Sequence, residues 1–216
     1  MFSEIEIKAM VLNRLLKENK IDSSSLVFNE MSLARKTRRV DLGYMTGREI
    51  VAIEIKSEKD TLARLPGQLD VYSKYFDRVI LVVASKFVFD VLAAVRPEVE
   101  VWEVSRNSIS TVRRGRKIST LKKEDYLDLM TKREVSLLAR MLGIPIEGVP
   151  MFDLRQSVFQ ALPKISKEKV KDVVADGFNK RFGMPSRRFL SKVFPEKIVS
   201  DRDVPLLSPY AMLRGC

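Results

Sequence analysis

RRVDLGYMTGREIVAIEIKSEKDTLARLPGQLDVYSKY, residues 38–75, is the stretch on which the reading of this 216-residue chain turns. Val40, Leu42 and Tyr44 alternate with Asp41, Gly43 and Met45. After Thr46-Gly47, Val51, Ile53 and Ile55 alternate with Ala52, Glu54 and Lys56. Period-two alternation on both sides of a glycine-containing turn is the pattern of a β-hairpin. A turn centred on Thr46-Gly47 puts Asp41 opposite Ala52 and diagonal to Glu54. Same-face diagonal neighbours lie roughly 7–8 Å apart, near enough for two carboxylates to converge on one ion. The pairing depends on register, because a one-residue slip turns every side chain to the other face.

Residues 61–75 read as a helix, with Leu62, Leu65, Leu69 and Tyr72 to pack and Arg64, Gln68 and Lys74 on a polar side. Pro66 belongs in a first turn, so the regular part starts near Leu65, and Asp60 is a candidate cap through Thr61 and Leu62. The near-continuous apolar run Arg78–Ala84 reads as a central strand buried on both faces. A short helix over Phe87–Val95 and strands over Val99–Val104 and Ser108–Arg113 follow. Upstream, Ser3–Lys17 carries an amphipathic stripe and Leu26–Met31 a short strand. The order α-β-β-β-α-β-α-β makes residues 1–115 an α/β sheet domain. Residues 121–216 form a basic, mainly helical region, with helices expected over Lys122–Met130, Arg133–Leu142, Leu154–Leu162, Lys167–Phe182 and Ser186–Val193. A tail marked by Pro195, Pro205 and Pro209 closes the chain.

Hydrophobic residues make up 45% of the chain and charged ones 31%, as in an ordinary folded protein. The net charge of +11 points to a polyanionic partner, with a membrane surface or plain solubility as the duller readings. Residues 1–60 are almost neutral, with eleven Lys/Arg against ten Asp/Glu, whereas residues 161–192 hold nine against three. The excess therefore lies mostly downstream of the hairpin. There is no histidine, which excludes His-based metal sites, His general bases and HNH-type nuclease centres; the one cysteine, Cys216, excludes an intrachain disulfide and multi-cysteine zinc sites. No apolar run approaches membrane-spanning length and MFSEIEIKAM lacks a signal-peptide pattern, so a cytoplasmic location is expected. No glycine-rich phosphate loop precedes a helix, which removes support for an ATPase.

Phosphodiester hydrolysis needs a held phosphate, a polarised water and charge stabilisation on the leaving oxygen. Asp41 and Glu54 offer hard oxygen ligands for Mg²⁺, with the Ile55 carbonyl beside them as a further ligand. Lys56, two residues after Glu54 and so on its face, is placed to orient water or stabilise the transition state. Arg113, Arg114, Arg116 and Lys117 form one basic group, and Lys180, Arg181, Arg187, Arg188 and Lys192 a second; both suit nucleic-acid backbone contacts. The same residues also fit a bland account. Asp41, Glu54 and Lys56 would then be a solvent-facing strand with an ion pair, and each basic group a solvated face.

Asp41, a hairpin, then Glu54-Ile55-Lys56 resembles the signature of the PD-(D/E)XK nuclease superfamily. Residues 29–83, through EIKSEKDTLARLPGQLDVYSKYFD, more closely resemble a small bacterial and phage branch with an EIKSxKDTLxRLxxQxxxY pattern. The resemblance covers roughly a quarter of the chain. It implies a restriction-endonuclease-like mixed sheet flanked by helices, and a metal-dependent nuclease acting on DNA. It implies Asp41 and Glu54 as metal carboxylates for Mg²⁺ or Mn²⁺ and Lys56 as the catalytic lysine. Gln68 and Tyr72 become supporting helix residues, and Glu30 an upstream metal-assisting acid, with Glu4 and Glu6 as weaker rivals. Val40 replaces the proline that usually precedes the first aspartate. The alternative is a catalytically inactive nucleic-acid-binding or assembly protein that keeps the fold. The C-terminal region would clamp DNA, form a homodimer or bind a protein partner.

Overall fold

The computed structural model describes residues 2–33, 38–106 and 108–208; Pro209 and Cys216 lie outside the described residues. Helix α1 (Glu4–Lys17) begins at Ser3, whose hydroxyl accepts from the Glu6 N–H while the Glu6 carboxylate accepts from the Ser3 N–H. This reciprocal capping box satisfies donors that the first turn leaves unpaired. Strands β1 (Leu26–Leu33), β2 (Arg38–Thr46) and β3 (Glu49–Lys56) form an antiparallel meander. Helix α2 (Leu65–Tyr75), with Pro66 in its first turn, leads to β4 (Arg78–Ala84). A 3₁₀ turn and helix α3 (Val88–Ala94) then precede β5 (Glu100–Ser105) and β6 (Ser108–Arg113). The six strands lie in sequence order, with β3, β4 and β5 parallel and β6 antiparallel to β5. This is the expected mixed α/β architecture, a mixed sheet flanked by helices with a helical C-terminal region.

The sheet buries both faces. Ile53, Ile55, Ile80, Val82 and Trp102 pack beneath Leu12, Leu15 and Leu16 of α1, while Ala52, Leu81 and Val83 pack beneath Leu69, Tyr72 and Phe76. Helices α4 (Lys132–Met141) and α5 (Met151–Ala161) extend the second layer. Lys122–Met130, expected as a helix, contains a 3₁₀ segment at Asp125–Leu129 instead.

The two helices expected over 167–182 and 186–193 are one, α6 (Lys167–Val193), running through Pro185. A proline inside a helix costs about 3 kcal/mol, so packing must outweigh propensity here. Phe178 and Phe182 pack with Phe28 on the α2 face, and Phe189, Leu190 and Val193 join the α1 face. The helix thus passes across edge strand β1, where the Ser186 hydroxyl accepts from the buried Val27 N–H at 2.8 Å. Continuity is required to serve both faces, and the covered edge is closed to other strands.

Gly43 is where this packing is tightest. A Cβ there would stand 2.3 Å from the Phe28 ring and 2.7 Å from the Val51 carbonyl oxygen. Gly43→Ala is expected to cost about 1–3 kcal/mol, the range for overpacking. A lower urea midpoint at unchanged slope would register it; an unchanged midpoint would refute this account of the β1–β2–α6 contact.

Candidate active site

The hairpin turn lies at Gly47-Arg48, with Gly47 at φ 58°, and pairs Gly43 with Ala52 and Leu42 with Ile53. The register therefore differs by two residues from the one expected; the pairing ends at Leu42 and Ile53, and one step beyond it Asp41 lies next to Glu54, whose charge acts on it. A two-residue shift keeps every side chain on its face, so the constellation survives and becomes tighter.

Glu54 is 1% exposed, yet both carboxylate oxygens are engaged. Oε1 accepts from Lys56 Nζ at 2.6 Å and from Gln68 Nε2 at 2.5 Å; Oε2 lies 2.6 Å from Tyr72 Oη. The Tyr72 hydroxyl is also 2.7 Å from the Arg39 carbonyl, so one phenolic proton joins α2 to β2 and β3. Burial, then the Glu54 charge, hold that phenol in its protonated form by raising its pKa far above the ordinary value. Asp41 Oδ2 accepts from the Ile55 N–H at 2.9 Å. Burial first, and the neighbouring Glu54 second, push the Asp41 carboxyl up to about 7.

These groups open into a cavity of about 310 Å³. Its wall carries Asp41, Glu54, Ile55, Lys56 and Gln68, together with Glu4 and Asp60 and three arginines, Arg38, Arg39 and Arg64. The donor chemistry suits a hard divalent cation: two neighbouring carboxylates, one of them raised in pKa by burial and then by the other, and a backbone carbonyl. The Ile55 N–H reaches Asp41, and in a strand the C=O of a residue points to the same side as its N–H. The Gln68 amide oxygen is buried without a protein hydrogen-bond partner, which leaves an acceptor for cavity water. Among the described residues no three acidic, His or Cys side chains form a ready metal cluster.

Several expected placements change. Glu30 does not line the cavity; its carboxylate pairs with Arg39 at 3.2 Å and Lys8 at 3.7 Å. Glu4, the weaker rival, does line it, whereas Glu6 is spent on the α1 cap. Asp60 caps no helix: its carboxylate accepts from the Ser57 N–H and hydroxyl and folds the loop after β3. The two basic groups lie away from the cavity. Arg116 N–H donates to the Glu98 carbonyl and Ile118 N–H to the Asp77 carbonyl, so Arg114, Arg116 and Lys117 run past the start of β4, the end opposite the site. Arg113 is consumed by the carbonyls of Val95, Arg96 and Val99. Arg181 donates to the Leu129 carbonyl, Lys180 pairs with Asp176 and Lys192 with Asp203. Arg187 and Arg188 are exposed beside Ser23 and Ser191, where α6 passes β1.

The arginines that do reach the site were missed as functional residues, although a signal existed. Arg39 stands two residues before Asp41 on one strand, and Arg64 four residues before Gln68 at the start of α2.

The raised Asp41 pKa has a stability consequence. Between about pH 4 and about pH 7 the native carboxyl holds a proton that the unfolded chain has lost, so stability falls as pH rises through that window. With divalent ions chelated, Asp41→Asn is expected to stabilise the chain at about pH 8, by up to about 4 kcal/mol, and progressively less towards about pH 4. Thermal unfolding across that range reads the difference; one that did not vary with pH would contradict the assignment.

Comparison with known proteins gives the family. A protein of unknown function from Silicibacter pomeroyi aligns in structure over 67% of this chain and 95% of its own, at 20% identity and a TM-score of 0.40. Protein cII of Enterobacteria phage P4 is 32% identical over 210 residues, which is 95% of this chain and 77% of that protein. The family model for bacteriophage P4 protein cII matches residues 1–208, and the chain belongs to that family.

Proposed function

We propose that the chain is a Mg²⁺-dependent nuclease that hydrolyses phosphodiester bonds, with DNA as the expected substrate and Mn²⁺ as a competent substitute. The observation that carries this reading is the buried Glu54, held by Lys56, Gln68 and Tyr72, beside Asp41 on the wall of a polar, arginine-bearing cavity. Asp41, Glu54 and the Ile55 carbonyl would hold the ion. When bound, it supplies Lewis acidity towards a phosphoryl oxygen and neutralises the two opposed carboxylates.

The remaining work falls to the protein's own groups. Lys56, 7% exposed and anchored on Glu54, presents a fixed ammonium that orients water and offsets charge developing on the phosphate. Gln68 and Tyr72 keep the Glu54 carboxylate from turning. Arg38, Arg39 and Arg64 take the phosphate charges inside the cavity. The exposed Arg114, Arg116, Lys117, Arg187 and Arg188 are left with contacts to more distant parts of a long polyanion.

Incubation of the purified chain with single-stranded, duplex and branched DNA and with RNA, in Mg²⁺ or Mn²⁺, tests this. Metal-dependent cleavage is expected on at least one substrate, falling by about 10²-fold or more in Glu54→Ala and Lys56→Ala. Tight, salt-sensitive binding without cleavage of any substrate would instead identify an inactive nucleic-acid-binding protein.

A further inference from the structure

We propose that Lys8 of α1 is a built-in cation standing where a second metal ion would otherwise sit, so that the centre takes one divalent ion per chain; this rests on the metal-site reading above. Lys8 is 3% exposed, and its ammonium lies 2.7 Å from Glu4 and 3.7 Å from Glu30. Its charge also acts on Asp41. Acids from three elements, α1, β1 and β2, are therefore tied electrostatically to a single ammonium.

The strand order gives this cluster its meaning. Strand β2 lies between β1 and β3, so Glu30 and Glu54 flank Asp41 from opposite sides. Two-metal phosphodiester centres set their ions about 3.5–4 Å apart, with acids serving both. Here the acids on the β3 side have room for an ion at the cavity, while Glu4 is already neutralised by Lys8, and Glu30 by Lys8 together with Arg39. The backbone is shaped to this end. Glu30 has φ 55°, a left-handed conformation unfavourable to a residue with a Cβ, and the strand's alternation breaks there. Leu26 and Phe28 before Glu30, and Met31 and Leu33 after it, all join the α2-face cluster. A lysine this dehydrated needs carboxylate partners, and these carboxylates need a cation. Lys8 is thus a positioning residue acting through Glu4, Glu30 and Asp41.

Mn²⁺ binding to the full chain, followed by calorimetric titration and by electron paramagnetic resonance of free Mn²⁺, tests the assignment. The wild-type chain is expected to bind one ion, lost in Asp41→Asn. Lys8→Met is expected to take up a second, weaker ion that disappears again when Glu4→Gln is added, whereas Lys8→Arg keeps the count at one. Two ions in the wild type, or one in folded Lys8→Met, would overturn the role of Lys8 while leaving the metal site standing. No Asp41-dependent ion in the wild type would overturn the metal-site reading and the Lys8 assignment together. Glu4→Gln alone alters only an exposed side chain and covers the case in which Lys8→Met fails to fold. By releasing the Lys8 charge towards Asp41 it should weaken the single ion several-fold, and an unchanged affinity refutes the proposal.

Discussion

A carboxylate with almost no access to water, Glu54 in the middle of a mixed sheet, is the constraint around which this structure is arranged. An unpaired buried charge is too costly to keep, so the fold must bring donors to it. Lys56 comes from the same strand, and Gln68 and Tyr72 come from one face of α2, four residues apart. That requirement fixes how α2 lies on the sheet. The Tyr72 hydroxyl, within reach of the Arg39 carbonyl as well, ties the same helix to the neighbouring strand. The loop between β3 and α2 is held where it leaves β3: Asp60 closes it on Ser57, and Lys86, just beyond β4, donates to the Glu58 carbonyl at 2.6 Å. The arrangement that neutralises one carboxylate thus also builds the cavity.

The C-terminal region supports this centre from a distance. Its buried side chains fall in the two hydrophobic clusters of the sheet, one on each face. Helix α6 contributes to both clusters, and Lys171, within its first half, pairs with the buried Asp77 at 2.7 Å. Asp77 in turn accepts from the Ile50 N–H at the start of β3. A buried charge pair of this kind adds little net stability but is costly to break. It fixes α6 at the end of the sheet away from the site, leaving the C-terminal end of β3 open. Several basic side chains of the helical region, Lys123, Arg155, Lys167, Lys171, Lys180, Arg181 and Lys192 among them, are committed to carbonyls and carboxylates of the protein. Positive charge at the cavity comes instead from Arg38, Arg39 and Arg64 of the β2 and α2 segments.

Much of this was legible in the residues. Period two around Thr46-Gly47, the apolar run at Arg78–Ala84 and the capping signals at Ser3 define the elements, because alternation and capping are local properties. The spacing of Glu54 and Lys56 on one strand, and of Gln68 and Tyr72 on one helix, likewise identifies groups that share a face. The hairpin faces bring Asp41, Glu54 and Lys56 together, whereas the place of Gln68 and Tyr72 beside them is implied by the family resemblance and not by spacing. Local patterning failed where an interaction joins distant segments. Pro185 reads as a break, but both sheet faces demand a continuous helix across β1. Arg113–Lys117 reads as a backbone grip with no place in space, and strand direction carries it to the end of the sheet away from the cavity.

The sequence by itself determined the strands and helices, the faces they bury and which polar residues stand among apolar ones, since these depend on spacing within a single element. Only the tertiary structure decided the two-residue shift that brings Asp41 beside Glu54, the choice of Glu4 over Glu30 at the cavity wall and the placement of Lys8 among the acids. Each of those is a distance between elements, set by how α1, β1 and α2 pack on the hairpin. In a pattern of period two, registers that differ by two residues bury the same side chains and look alike until the third dimension is filled.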